Sequence, residues 1–188
     1  MEGWALRAGG MIWGMNAGLD SMFNEYAARK MEDHFGQIRR CAALLSDEQL
    51  WFRANPHSNS VGNLLLHLNG NISQWILGGI GGRAISRDRQ AEFDARGPMA
   101  REKVLEPLTR TISEACSVIR SQSAEELARE REIQKYRVSG LAAILHVVEH
   151  MAFHAGQIVT TTKWLLDVDL SLYDERGHRR DGRADNVP

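Results

Sequence analysis

The sequence has little cysteine, almost no net charge and no long apolar run. Its two cysteines, Cys41 and Cys116, are too few for a disulfide framework and indicate a reducing compartment, so we expect a cytoplasmic protein. The 23 basic and 24 acidic side chains give a formal net charge of −1, which does not favour nucleic-acid binding. Because no run of about 20 apolar residues exists, we expect no membrane-spanning helix.

Residues 1–19 lack the pattern of a secretory signal. They hold one basic residue, Arg7, and their glycines interrupt any apolar stretch, so we predict an N-terminal extension and no export. A chain of 188 residues can bury roughly 70% of its unfolded surface, enough for one domain without a structural metal or a disulfide. We place that domain at residues 20–168 and a polar C-terminal tail at 169–188.

Apolar residues recur at helical spacing in four long segments. These segments are residues 23–45, 61–80, 99–121 and 141–166. Three of the segments follow residues that cap helices well, namely Asp20 or Ser21, Asn59 or Ser60, and Ser139. The charged stretch 83–98 is roughly 16 residues long, which indicates a crossover connection. We expect Pro107 to delay or kink the third helix and residues 133–138 to include a brief extended piece. The sequence therefore predicts an all-α four-helix bundle with one long crossover connection.

Among the side chains that commonly bind metals or take part in catalysis, histidine stands out, with seven in the sequence. His34 lies among acidic residues, His57 lies in a loop and His178 lies in the tail, so no function is assigned to these three. The other four comprise one on the second helix and three, spaced by four residues, on the last: His67, His146, His150 and His154. Side chains at i and i+4 share one helix face and lie close enough to bind a single ion.

A helical wheel separates the three histidines of the last helix. At about 100° per residue, His150 and His154 fall at the border of the apolar face, whereas His146 points further from it. The pair His150 and His154 is therefore the better oriented to bind an ion together with a partner helix.

His67 has a matching position on the second helix, where the apolar arc meets a polar seam. Asn63 and Asn71 flank it on the wheel and are predicted to hydrogen-bond the ring nitrogen that binds no metal. Three imidazoles from two helices would give a divalent ion three ligands and one open position, as in catalytic sites. The predicted ligands are His67, His150 and His154. The alternative is that each is a hydrogen-bonded histidine at the edge of the core.

A competing motif lies on the same helix. His146-Val-Val-Glu149-His150 matches H-x-x-E-H, the inverted zincin pattern, in which both histidines bind zinc and the glutamate is the general base. Only three positions of that motif are fixed, and no further carboxylate ligand is evident. The two interpretations share His150 and differ over His146 and His154.

These residues also carry a resemblance to the DinB-like superfamily of metal-binding four-helix bundles, and within it to an uncharacterised bacterial branch. The chain resembles it over about residues 20–168, and the histidine of the family's second helix maps onto His67. Its H-x-x-x-H pair, followed by Gly-Gln, maps onto His150 and His154, while His146 is not required. The matching segments are SNSVGNLLLHLNGN (58–71), RDRQAEFD (87–94), SAEEL (123–127) and HMAFHAGQIV (150–159).

The resemblance implies a divalent ion, often nickel or zinc, and frequent homodimers. It also implies kinship with S-transferases and isomerases that use low-molecular-weight thiols such as mycothiol or bacillithiol. We therefore expect a thiol to bind at the open metal position and to attack a small electrophilic substrate. Gln157, one turn beyond His154, is expected to orient a ligand or water. The alternative is a non-catalytic, metal-binding dimeric module that serves in stress response.

Overall fold

The computed structural model describes residues 18–176, which are mostly helical. The long helices are α1 (Leu19–Leu44), α3 (Val61–Ile72), α5 (Arg101–Arg120) and α7 (Gly140–Leu166). The short helices are α2 (Asp47–Leu50), α4 (Arg89–Asp94) and α6 (Ala124–Ala128). Helix α3 continues directly into a π-helical segment, Ser73–Ile80. None of the helices in residues 18–176 combines the length and the apolar character needed to cross a bilayer.

The long helices pack around one apolar core. Helix α1 lies against both α5 and α7, and α3 lies against α5 and α7. Their apolar faces supply side chains that are almost entirely removed from water, including Met31, Ile38, Leu65, Leu68, Leu108, Ile119, Ile144 and Met151. Burial of this apolar surface is what favours the packed helices over the unfolded chain. The prediction of a mostly helical protein is confirmed, while the four-helix bundle topology stays a prediction.

The starts of several helices follow the sequence signals. Ser60 and Asn63 form a capping box at the start of α3, with the Ser60 side chain accepting from the backbone of Asn63. Ser139 caps α7 through the backbone N–H of Ala142. The expected cap of the first helix is wrong by a few residues, because α1 begins after Gly18 and has no side-chain cap.

A two-stranded antiparallel sheet corrects the prediction of an all-α fold. Strands β1 (Glu130–Ile133) and β2 (Tyr136–Ser139) pair with Ile133 opposite Tyr136. Ile133 is buried against the π-helical segment, where a Cβ added at Gly79 would lie 2.4 Å from the Ile133 side chain. The absence of a side chain at Gly79 lets this hairpin approach, and it forms one wall beside the histidines.

One further expectation differs from the structure, and another falls on residues that the structure does not describe. The second predicted helix is not α-helical throughout, since its last eight residues form the π-helical segment, a feature frequent at functional sites. Residues 1–17 of the predicted N-terminal extension and the end of the predicted tail lie outside the described residues.

Candidate metal centre

Helices α3 and α7 bring His67, His150 and His154 together. One ring nitrogen from each lies within 4.8 Å of the others. The Nε2 atoms of His67 and His150 are 2.9 Å apart, and the ring of His154 lies edge-on to both. When two nitrogens bind one ion at about 2.1 Å and the two bonds meet at a right angle, the nitrogens lie about 3 Å apart. The spacing of His67 and His150 therefore suits a shared cation.

The other nitrogen of His67 is held by a carboxylate. Nδ1 lies 2.9 Å from Oε2 of Glu92, at the middle of α4, and both side chains are almost fully buried. Arg87 Nη2 lies 3.2 Å from the same nitrogen but donates to that carboxylate at 2.9 Å. Since the carboxylate accepts, Nδ1 of His67 carries the proton and Nε2 presents a lone pair towards His150.

Glu92 is ionised despite its burial. Burial alone would raise the pKa of this carboxyl, but hydrogen bonds from Arg87 and His67 outweigh it and lower the pKa. Arg87 donates from Nε to Oε1 of Glu92 at 2.7 Å and from Nη1 to Oε1 of Gln74 at 2.8 Å. Its charge is thus matched by Glu92. A carboxylate behind a ligating histidine fixes the ring and raises its basicity.

The predicted partners of His67, Asn63 and Asn71, do not hold its ring. Asn63 Oδ1 instead accepts from the Ser60 hydroxyl at 2.7 Å, and its Nδ2 donates to the backbone carbonyl of Glu92 at 2.9 Å. Asn63 thereby anchors the segment that carries the Glu92 carboxylate. Asn71 is buried, and its Oδ1 has no hydrogen-bond partner among residues 18–176.

Sequence reasoning missed Glu92 and Arg87. Both lie in the charged segment RDRQAEFD, which was used only for the family resemblance. Glu92 lies 25 residues and Arg87 lies 20 residues beyond His67, on a connection that shares no helical periodicity with α3. The only sequence signal for the pairing of Glu92 with His67 is a glutamate in the segment that follows the histidine-bearing helix.

His150 and His154 are held as neutral imidazoles. Burial lowers the pKa of His150 to about 3, with neighbouring histidines adding to the shift. Burial also lowers the pKa of His154. Gln157 Oε1 lies 2.7 Å from Nδ1 of His154, so Nδ1 is the protonated nitrogen and Nε2 is left for an ion. Gln157 thus orients His154 itself. At neutral pH both imidazoles offer lone pairs, the form that binds metal.

His146 and Glu149 take no part in the cluster. The ring of His146 lies 4.2 Å from the ring of Trp75 and 5.7 Å from that of His150, measured between centroids. Glu149 is exposed on α7. The inverted zincin arrangement is therefore not formed, because the histidine that joins His150 is His154.

The other histidines lie elsewhere. His34 is half-buried on α1, and His57 is exposed in the loop before α3. His178 falls outside the described residues.

An open cleft of about 440 Å³ borders the cluster. His67 and His150 line its base, and the hairpin residues Gln134 and Tyr136 form one wall. The donor set fits a divalent ion. Three imidazole nitrogens converge beside space for a further ligand, and the other ring nitrogens of His67 and His154 are hydrogen-bonded.

The family described as "Protein of unknown function (DUF1572)" matches residues 20–173. This chain belongs to that DinB-like family. No curated protein matches the chain.

Two solved structures share the DinB-like fold. A DinB-like protein from Bacillus cereus superposes with a TM-score of 0.60 at 13% identity, covering 74% of this chain and 90% of its own. A second, from Bacillus subtilis, gives a TM-score of 0.58 at 15% identity, covering 74% and 91%. The DinB-like fold predicted from the histidine-bearing segments is confirmed.

Proposed function

We propose that this protein binds a divalent ion, nickel or zinc, and transfers a low-molecular-weight thiol to a small electrophilic molecule. The ligands would be His67, His150 and His154. The observation that supports this proposal is the convergence of three imidazole nitrogens within 4.8 Å beside an open cleft. Three protein ligands with a free position distinguish catalytic sites from closed structural ones.

The chain's own residues prepare this site before any substrate binds. Glu92 keeps the proton of His67 on Nδ1, and Gln157 does the same for His154. Such an ion, when bound, would lower the pKa of a coordinated thiol and so favour its nucleophilic thiolate form.

The two cysteines are unsuited to supply the sulfur. Burial raises the pKa of Cys116 to about 12, and burial raises the pKa of Cys41 as well. Both thiols are buried in the core, and Cys116 donates weakly to the backbone carbonyl of Ala28. Reactive cysteines have lowered pKa values and partial exposure. This supports a thiol that arrives as a cosubstrate.

The metal ligands are tested by replacing each histidine with alanine and measuring bound nickel and zinc by elemental analysis of the purified proteins. We expect the His67→Ala, His150→Ala and His154→Ala variants to lose the ion. The matched control is His146→Ala, which should retain it. Loss in His146→Ala together with retention in His154→Ala would overturn the proposed ligand set.

The transfer reaction is tested with the metal-loaded protein, bacillithiol or mycothiol, and 1-chloro-2,4-dinitrobenzene as a generic electrophile. In this reaction the sulfur replaces chloride on the ring, and the thiol proton is released. We expect turnover that the His150→Ala variant lacks. A metal-loaded protein without turnover for any thiol would instead support the non-catalytic binding module.

We also propose that the protein forms a homodimer through the outer face of α7. Phe153 and Trp164, each 65% exposed, lie eleven residues apart and so within about 20° of one another on the helix. Phe52 extends this apolar patch, with its ring 5.9 Å from that of Trp164. Exposed aromatic patches favour association, and a net charge of −1 opposes it little.

A further inference from the structure

The cleft beside the histidines contains one cation without an acidic partner. Arg89, the first residue of α4, lines this cleft, and its guanidinium lies 4.9 Å from the centre of the Phe93 ring. Within residues 18–176 no carboxylate forms an ion pair with Arg89. Arg87, the other arginine of the lining, is already matched by Glu92. The lining includes no Asp or Glu, so the cleft carries an uncompensated positive charge.

The wall next to Arg89 is aromatic. Trp75 of the π-helical segment, Tyr136 of β2 and His146 of α7 come together there, with the Trp75 ring 6.1 Å from Tyr136 and 4.2 Å from His146. Tyr136 is 47% exposed at the cleft. Flat rings favour offset or edge contacts with another flat group, so this wall suits an unsaturated or aromatic ligand.

The remaining polar groups of the cleft contribute little to the recognition of an anion. Asn71 lines it, and its buried Oδ1 has no hydrogen-bond partner in the part of the chain that the structure describes. This oxygen is almost fully shielded from solvent, and a carboxylate has no donor to offer it. Gln134 is less available, since its Nε2 donates to Gln74 at 2.6 Å.

We propose that this cleft binds a small carboxylate-bearing molecule with a flat unsaturated portion. Arg89 would hold the carboxylate, and Trp75, Tyr136 and His146 would face the flat portion. The inference rests on the proposed function in one respect, because it names the chemical class of the electrophile that the metal site would serve. Guanidinium and carboxylate match in shape, and such charge-assisted pairs exceed neutral hydrogen bonds in strength.

The test is isothermal titration of the protein with trans-cinnamate, and with cinnamamide as the neutral molecule of the same shape. We expect cinnamate to bind wild-type protein at least about tenfold more tightly than cinnamamide does. The Arg89→Gln variant should lose that difference. The matched control is Arg110→Gln, which replaces an exposed arginine of α5 and should bind cinnamate as wild type does.

The same titration with chelator-treated protein separates this inference from the proposed function. Recognition by Arg89 predicts that cinnamate affinity stays within a few-fold when metal is removed. Loss of binding on metal removal would mean that the ion, not Arg89, holds the carboxylate, and would overturn the inference. Equal affinity of wild type and Arg89→Gln, or no binding by wild type at millimolar cinnamate, would overturn it as well. Absence of metal from the purified protein would count against the proposed function alone.

Discussion

At the scale of single residues, the site depends on a glycine as much as on its histidines. Gly70 lies three residues after His67 on α3, and a Cβ there would lie 2.0 Å from Oε1 of Glu92 and 2.8 Å from Nε of Arg87. The Glu92 carboxylate can reach His67 only because this position has no side chain. Gly70 thus provides the space in which the buried ion pair holds the ligand ring.

The Gly70→Ala variant should separate fold stability from metal binding. Alanine in a helix interior is about 1 kcal/mol more favourable than glycine, so α3 itself gains. The displaced Glu92 carboxylate would no longer orient His67, and we expect metal affinity to fall about 10- to 100-fold. Competition with a chromophoric chelator measures the affinity, and thermal unfolding of the metal-free protein measures the stability.

Gly36→Ala is the matched control for that experiment. A Cβ at Gly36, on α1, would meet nothing within 4 Å. Its metal affinity should equal that of wild type, with unchanged or slightly higher stability. If Gly70→Ala bound metal as tightly as Gly36→Ala does, the carboxylate would have no part in holding the ion.

The clustering of the three histidines could be predicted from the sequence because helical periodicity constrains their positions. His150 and His154 share a face at any i, i+4 spacing, and His67 marks the corresponding border on α3. Glu92 follows no such rule, since its position depends on how a non-periodic connection folds back over α3. The helical wheel also failed for Asn63. The wheel places Asn63 beside His67, but its side chain hydrogen-bonds Ser60 in the capping box of α3.

At the scale of elements, the sequence predicts the hairpin only in part: the brief extended piece expected within residues 133–138 overlaps both strands, but their pairing was not predicted. Each strand has only four residues, only Ile133 of β1 is buried, and β2 has no fully buried residue, so the apolar signal is too short to identify a paired strand. The hairpin packs against the π-helical segment through the contact of Ile133 with Gly79 and the hydrogen bond that Gln134 donates to Gln74. The long helices could be predicted because each buries a continuous apolar stripe.

The proposed dimer interface and the proposed metal ligands lie on different faces of α7, so each can be tested separately. Wild-type protein should elute as a dimer of the 21.1 kDa chain in size-exclusion chromatography with light scattering. The double variant Phe153→Glu, Trp164→Glu should be a monomer, because two buried charges would oppose association.

The control for that variant lies on another face of the same helix. Leu141 and Leu145 are 42% and 44% exposed, and Leu141→Glu, Leu145→Glu introduces the same charge away from the patch of Phe52, Phe153 and Trp164. It should remain dimeric. A monomeric wild-type protein, or dissociation by the control pair alone, would refute the proposed interface.

At the scale of the whole molecule, the cluster makes folding depend on pH. Burial lowers the pKa values of His146, His150 and His154, that of His150 to about 3. In the unfolded chain these histidines have pKa values of about 6.5. Between those values the unfolded state takes up protons that the folded state excludes, so the free energy of unfolding falls as pH is lowered.

The metal-free protein should therefore lose thermal stability steadily as pH is lowered from 7.5 to 5. This window lies above the range in which carboxylates titrate, so Glu92, whose pKa is lowered, stays ionised in it and contributes little to the slope. The melting temperature, followed by circular dichroism across the window, measures the effect. His150→Gln should make the melting temperature less dependent on pH, because it removes the histidine whose pKa is lowered to about 3. The control His57→Gln, in an exposed loop, should keep the wild-type pH dependence. If the melting temperature of metal-free wild type stays constant down to pH 5, the histidines take up protons equally well in the folded and the unfolded protein. The folded structure then does not hold these imidazoles in the neutral form.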